Sequence, residues 1–365
     1  MKSNYKHLGD YIRQVDVRNR DLSITDLVGL TIAKSFIPSV ANTIGTDLST
    51  YKVIRYGQFA CSLMQVSRDG KMPVAMFDRD AAIISPAYPM FEVSKPEYLM
   101  PKFLMMWFSR CEFDREATFY AVGGVRGSLT WEDFCDMKLL VPPIEEQQKI
   151  VAEYQAIERR IKNNRCLIST LEATAQSIYR HFFVDDIDPE NLPDGWHIGS
   201  ISEIADLRVG GDKPEIFSPV PLYNCNVPIF ANGVIDDGLY GFTNKPKVFE
   251  DSFTISARGT IGVCFLRLSP YFPIVRLISV VPKQPSYLYF LFHFVKEMNI
   301  EGDGSVQNQL TVPFLNSEKI IIPPHNLAEG FYNSVDKIYR YIFVIRKEIE
   351  LDIQFASLLL TKLSR

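Results

Sequence analysis

The chain states one phrase twice. Leu129–Pro143 reads LTWEDFCDMKLLVPP and Leu310–Pro324 reads LTVPFLNSEKIIIPP, so Leu, Thr, Lys and a Pro-Pro pair recur at a constant offset of 181. Each copy follows a glycine-rich turn (Gly123, Gly124; Gly302, Gly304) and precedes about 40 residues of helical pattern. Weaker echoes lie upstream: VSKPEYL at 93–99 against VPKQPSYL at 281–288, and LGDYI at 8–12 against ISEIA at 201–205. Such a period is too long for a solenoid. It describes a duplicated module, a globular part followed by a long helix. A pseudo-twofold chain suits a bipartite target such as two half-sites on DNA.

Both helical stretches are legible. Residues 144–183 lack Gly and Pro, and an apolar seam runs through Ile150, Tyr154, Ile157, Ile161, Ile168, Leu171, Ala175, Ile178 and Phe182. The second seam runs through Phe331, Val335, Ile338, Ile342, Ile345, Ile349, Ala356, Leu359 and Leu363. Alternating steps of four and three are a heptad pattern. A helix of 40 residues is about 60 Å long. If the first helix carries the chain to the second module, the second brings it back, and the two run antiparallel. Asn164 and Asp352 interrupt the seams; they either set the register of the pair or are tolerated polar residues. From Leu327 to Leu363, 21 of 37 residues are apolar and only 9 lie on the seam. A helix apolar on several faces needs several covers. Tyr339, Phe343, Leu351 and Phe355 are the candidates for contact with a protein partner. The aromatic tracts Phe103–Phe108 and Tyr287–Phe294 have helical spacing and read as core.

Composition narrows the function. The six cysteines are scattered without C-x-x-C spacing, against a disulfide framework or zinc site. The N-terminus has no apolar signal-peptide region, and no apolar run approaches the ~18 residues that span a bilayer. A cytoplasmic protein with no membrane partner is expected. Residues 1–143 carry 17 basic and 16 acidic side chains, and residues 190–324 carry 10 and 14. A free-standing nucleic-acid binder is usually far more basic. Either the chain leaves DNA alone, or it reads bases locally while a partner supplies phosphate contacts. No [DNS]-P-P-[YF] tetrapeptide, G-x-G-x-x-G loop after a strand, Walker A motif, E-x-K triplet or H-E-x-x-H is present. No catalytic residue, cofactor or metal is therefore expected.

The stretch PPIEEQQKIV at 142–151 resembles the PPL-x-EQ-x-x-I signature that opens the helical region of type I restriction–modification specificity subunits. LPDGW at 192–196 resembles the LP-x-GW phrase opening their second half; ISARGTIG at 255–262 and GDGSVQNQLT at 302–311 are similar to their recurrent loop phrases. The likeness covers essentially the whole chain in order. Two departures stand out: PPHNLAEGF at 323–331 has lost the EQ-x-x-I spelling, and the first module lacks the LP-x-GW opening.

The resemblance implies an α+β, pseudo-twofold chain: two tandem globular α/β target recognition domains, 1–143 and 186–324, separated by two long antiparallel coiled-coil helices, 144–185 and 325–365. It implies a specificity subunit that recognises a bipartite double-stranded DNA site and directs two methyltransferase subunits and a restriction–translocase subunit to it. Alternatives are the recognition subunit of a bifunctional type II enzyme and a coiled-coil adaptor without a DNA role. DNA-reading side chains should be Arg, Lys, Asn, Gln, Ser or Thr in loops. The candidates are Arg68, Lys71, Arg126 and Ser128 in the first module, and Lys213, Asn232, Arg258, Thr260, Gln307 and Asn308 in the second. The competing reading of each is an ordinary turn with a solvated side chain.

Overall fold

A computed structural model describes residues 5–41, 45–64, 66–122, 128–298 and 309–363. The chain divides into two compact units, one of Met1–Asn163 with Glu348–Arg365, the other of Asn164–Lys347. Both divisions fall inside long helices.

Unit 1 contains β1 (Tyr5–His7), β2 (Ile12–Gln14), β3 (Leu27–Leu30), β4 (Phe36–Pro38), β5 (Lys52–Arg55), β6 (Phe59–Cys61), β7 (Val74–Met76), β8 (Ala81–Ile84), β9 (Met90–Val93) and β10 (Lys138–Leu140), with helices α1 (Val66–Asp69), α2 (Pro101–Phe108), α3 (Cys111–Ala121) and α4 (Trp131–Asp136). One sheet has the order β2-β9-β6-β7, all antiparallel. In a second, β4-β3-β8-β5, strands β3 and β8 are parallel. β1 and β10 form a third, antiparallel pair. Helix α5 (Ile144–Phe183) follows.

Unit 2 contains β11 (His197–Gly199), α6 (Ile201–Ile204), β12 (Ala205–Val209), β13 (Val227–Phe230), β14 (Leu239–Thr243), β15 (Ser252–Ile255), β16 (Cys264–Arg267), β17 (Phe272–Pro273), β18 (Ile278–Pro282), α7 (Leu288–Glu297), α8 (Val312–Ser317) and β19 (Ile320–Ile322), before α9 (His325–Lys362). Its sheets repeat the plan. The order β12-β18-β15-β16 answers β2-β9-β6-β7, the parallel pair β13/β17 answers β3/β8, and β11/β19 answers β1/β10.

The repeated phrase now has a physical meaning. Leu129 and Leu310 are buried core residues. Thr130 and Thr311 cap α4 and α8, each hydroxyl accepting from the backbone N–H three residues on, Asp133 at 3.0 Å and Phe314 at 3.3 Å. Capping of this kind satisfies N–H groups that a helix start leaves unpaired. Pro-Pro then stops the strand that follows, since proline cannot donate to a ladder, and the helix begins immediately after. The Leu amides make the same bond in each unit: Leu129 to the Leu63 carbonyl and Leu310 to the Ala257 carbonyl, both at 2.9 Å.

The lost EQ-x-x-I spelling also has an explanation. Gln147, fully buried in the first turn of α5, donates to the Tyr98 and Pro142 carbonyls (2.7 and 2.8 Å) and accepts from the Met100 N–H (2.9 Å). At the matching position of α9 stands buried Ala328, which can do none of this. There the Tyr287 hydroxyl donates to the Pro323 carbonyl at 3.2 Å instead. Tyr287 is 7% exposed, whereas its counterpart Tyr98 is 59% exposed.

The α9 seam is buried apart from half-buried Ile338 and Leu359, whereas on α5 only Ile157 and Ala175 of the seam are buried, the rest are half-buried, and Val151, Tyr179 and Phe183 beside it are buried instead. In unit 1, Val151 and Leu363 join the core of Trp107, Phe108, Phe113 and Phe134, and Tyr154 packs against it. In unit 2, Ala175, Tyr179 and Phe183 join Phe290, Phe331, Val335 and Ile342. Within each unit the two helices run antiparallel. Arg160 Nε meets the Asp352 carboxylate at 2.6 Å in unit 1, and Glu172 meets Arg346 at 3.2 Å in unit 2. Asp352, 4% exposed, is thus not a frayed position: it is a buried seam carboxylate paired across the helices. Helices α2 and α7 are buried on several faces, as their aromatic tracts require.

Candidate nucleic-acid interface

Unit 2 gathers several loops at one place. The loop after β12 carries Gly210 and Gly211; the loop after β13 carries Asn232 and Gly233; the β15–β16 loop carries Arg258, Gly259 and Thr260; the turn before β18 carries Val275 and Arg276. Their backbones are bonded together. Gly211 accepts from the Val275 N–H (2.8 Å) and Gly210 from the Arg276 N–H (2.9 Å). The Asn232 amide donates to the Val275 carbonyl and its oxygen accepts from the Ala257 N–H, both at 2.7 Å. Gly233 N–H donates to Ser256 Oγ at 3.3 Å.

This geometry sorts the candidates. Asn232 is committed on both ends of its amide, so its side chain positions loops rather than offering itself to a base. Arg258 is exposed but donates from Nε and Nη2 to the Gln309 side chain (3.1 and 2.7 Å). It therefore steadies the segment before α8 while keeping the rest of its guanidinium outward. Thr260 is exposed beside it. Lys213 lays its ammonium over the Phe217 ring, 3.3 Å from the centroid, and near Tyr240. An ammonium on a ring face is held by the ring's quadrupole. Gln307 and Asn308 lie outside the described residues.

Two basic residues of this cluster escape a sequence reading. Lys247 is exposed and comes close to Gly211, and Arg276 is exposed on a left-handed turn. Neither sits in a glycine-flanked phrase.

In unit 1 the loop topologically equivalent to 256–263 joins β6 to β7. This connection carries Arg68, on the short helix α1, and Lys71 after it, so both lie in the segment that corresponds to the one holding Arg258 and Thr260. Arg68 is exposed and forms a two-pronged pair with adjacent Asp69 (2.7 and 3.1 Å), which holds that carboxyl below its usual range. Lys71 is exposed on an open cleft of about 770 Å³ that also contains Lys34, Lys102, Asp78, Asp114 and Glu158. Lys34 is half-buried there against Asp114 at 2.8 Å, and that burial pulls its ammonium down. Acids and bases alternate around this cleft, which makes a poor phosphate trap. Ser128 is half-buried at the end of the α3–α4 loop; Arg126 lies outside the described residues.

The partner candidates separate as well. Tyr339 does not lie on an open face, a correction to the expectation above. It is 5% exposed, stacks on Tyr289 at 4.8 Å, and bonds His293 Nε2 at 2.7 Å through its hydroxyl. Its spacing from Phe331, Val335 and Ile342 places it toward the α7 core, a direction that a heptad count alone does not distinguish. Phe343, Leu351 and Phe355 are 37%, 64% and 50% exposed. With exposed Tyr341, Val344 and Leu358 they leave α9 with a second apolar line; Val344, Leu351, Phe355 and Leu358 are spaced seven, four and three. No helix among the described residues is long and apolar enough to cross a membrane.

Comparison with known proteins supplies the family. Residues 193–353 match the type I restriction modification DNA specificity domain. A putative type I specificity subunit of Mycoplasma pneumoniae is 31% identical over 238 residues, 62% of this chain and 63% of that protein. A second from the same organism is 32% identical over 155 residues, covering 42% of this chain and 46% of the relative. The chain thus spans less than two thirds of the length of these two relatives. A third match, to the C-terminus of another putative specificity subunit of that organism, is 34% identical over 108 residues, 30% of this chain and 74% of that protein. In fold, the chain is similar to the crystal structure of a type I restriction–modification system S subunit from M. genitalium, with a TM-score of 0.64 at 15% identity over 98% of this chain and 95% of that one.

Proposed function

Because this chain belongs to the type I restriction–modification specificity subunits, we propose that it reads a bipartite double-stranded DNA sequence, one half with each unit, and carries no catalytic group of its own. The observation that supports the bipartite reading is the duplication itself. Two units of one topology present equivalent loops, β6–β7 and β15–β16, each latched by the same Leu amide to the segment before α4 or α8. Residues 1–143 and 186–324 act as the two target recognition domains, and 144–185 with 325–365 as spacer helices.

The exposed apolar line on α9 docks methyltransferase subunits. Its 3.5-residue period is what a partner helix needs in order to pack knobs into holes. Phe343, Leu351 and Phe355 belong to this surface. A restriction–translocase subunit completes the assembly. The acidic balance of residues 190–324 leaves phosphate neutralisation mostly to these partners.

Co-expression with a methyltransferase subunit, followed by mapping of modified bases across a genome, tests the reading. Two short sequences at a fixed gap are expected; methylation without sequence preference, or at one continuous site, defeats it. If the helices measure the gap, inserting four residues in each lengthens both by ~6 Å. The gap then grows by roughly one to two base pairs while both half-sequences stay the same.

A further inference from the structure

We propose that Arg276 is the principal base-reading residue of unit 2, taking a guanine edge in the major groove; this rests on the DNA-reading role given above. Between residues 190 and 324 there are four arginines. Arg208 is paired with Glu250 at 3.2 Å. Arg258 is held by Gln309. Arg267 is 5% exposed, bonded to Thr254 and the Asp237 carbonyl, and stacked 3.5 Å from the Phe230 ring centroid. Arg276 alone among them is exposed with no side-chain hydrogen bond or ion pair to the described residues.

The backbone beneath it is set with unusual care. Val275 and Arg276 are both left-handed, with φ of 53° and 61°. A β-branched residue such as valine is a true outlier in that region. Strained turns of this kind persist only where the surroundings over-determine them, and they gather at functional sites. Here the surroundings are explicit. The Val275 and Arg276 amides bond Gly211 and Gly210, the Gly210 amide bonds the Leu277 carbonyl, and Asn232 holds the Val275 carbonyl. Gly210 must be glycine: a Cβ there would stand 2.8 Å from Ile274 N. Asn232 and the two glycines thus act as positioning residues for one presented guanidinium. Val275, 50% exposed, offers an apolar surface beside it. A guanidinium meets guanine O6 and N7 with two parallel bonds, the commonest base-specific contact.

The test uses the chain assembled with its methyltransferase and DNA libraries substituted singly through both half-sites. Arg276→Ala should cut discrimination at one base pair of one half-site by on the order of 10- to 100-fold and leave the other half unchanged. Arg276→Gly should do the same while keeping or raising the melting temperature, because glycine accepts the left-handed backbone without strain. A structural role would instead lower it. Arg276→Lys should not restore discrimination, since an ammonium is a point charge without the two-pronged fork. Full discrimination in the Ala variant, or its full recovery in the Lys variant, overturns the assignment. A wild-type complex that methylates no defined sequence defeats the DNA-reading role itself, which separates the two failures.

Discussion

Gln147 offers the sharpest test of how the long helix is anchored to unit 1. Its side chain is fully buried and makes three hydrogen bonds at 2.7, 2.8 and 2.9 Å, two given and one received. Gln147→Met keeps the volume and removes all three. A buried bond contributes about 0.5–1.5 kcal/mol net, and an orphaned partner costs more, so the loss should be about 3 kcal/mol and could reach about 5. For a unit of this size each kcal/mol is worth about 2–4 °C, giving a fall of roughly 6–12 °C in the unit 1 transition. Gln147→Glu should be worse at neutral pH. Its carboxylate can still accept from Met100 but turns lone pairs on two carbonyls. In unit 2, Tyr287→Phe removes a single bond and should cost only about 1 kcal/mol. Calorimetry of the full chain reads the transitions, and hydrogen exchange at the Met100 amide localises the change. If Gln147→Met melts within about 2 °C of the parent, the three bonds do not anchor the helix and the reasoning fails.

Three further outcomes follow from the same structure. Arg160→Leu should destabilise the helix pair because it strands the buried Asp352 carboxylate, whereas Asp352→Leu should be neutral or stabilising since the exposed Arg160 can turn to water; urea unfolding that ranks them the other way sinks the argument. Burial, and then the charge of Lys296, pulls the His293 imidazole down to about 3, so the unfolded chain takes a proton near pH 6.5 that the folded chain refuses. Stability from this group is complete above pH 6.5 and drains as pH falls toward 3, at up to about 1.4 kcal/mol per unit; in His293→Gln the plot of stability against pH should be flatter there, and an unaltered slope counts against it. Thr130→Ala and Thr311→Ala should each cost about 1 kcal/mol through the same lost cap, and a difference of several kcal/mol between them would show that the two copies of the phrase do different work.

Much of the frame was legible because it follows from spacing. The offset of 181 announced two units of one plan, and the Leu, Thr and Pro-Pro of each copy proved to be core, cap and helix start. Steps of four and three gave both seams. What spacing does not carry is which face of a residue meets which neighbour. Tyr339 looked free for a partner, and the α7 aromatic core claimed it. Asn232 looked like a base reader, and its amide is spent tying the Val275 turn to Ala257. Arg276 sits in an apolar stretch with no glycine beside it, and only the three-dimensional loop cluster reveals its place. Arg258, Thr260 and Lys71 lie at exposed positions outside helix and strand, next to glycines that turn the chain, whereas Arg68, expected in a loop, stands exposed on the short helix α1.

The two answers to the equivalent carbonyl carry a consequence for inheritance. In the first copy the donor comes from the helix, Gln147; in the second it comes from the globular part, Tyr287. A duplicated gene invites exchange between its halves, and these two solutions do not mix. A crossover between the tyrosine and the helix start would join an exposed Tyr98 to a helix whose first turn carries Ala328, leaving the carbonyl with no donor. The reciprocal product would bring Tyr287 and Gln147 to one carbonyl and crowd it. Exchanges that fall before the tyrosine, or after the first turn of the helix, keep each donor with its own acceptor. The chain's freedom to exchange one globular part for another is therefore punctuated, with permitted seams on either side of a stretch of about 40 to 50 residues that must travel as a block.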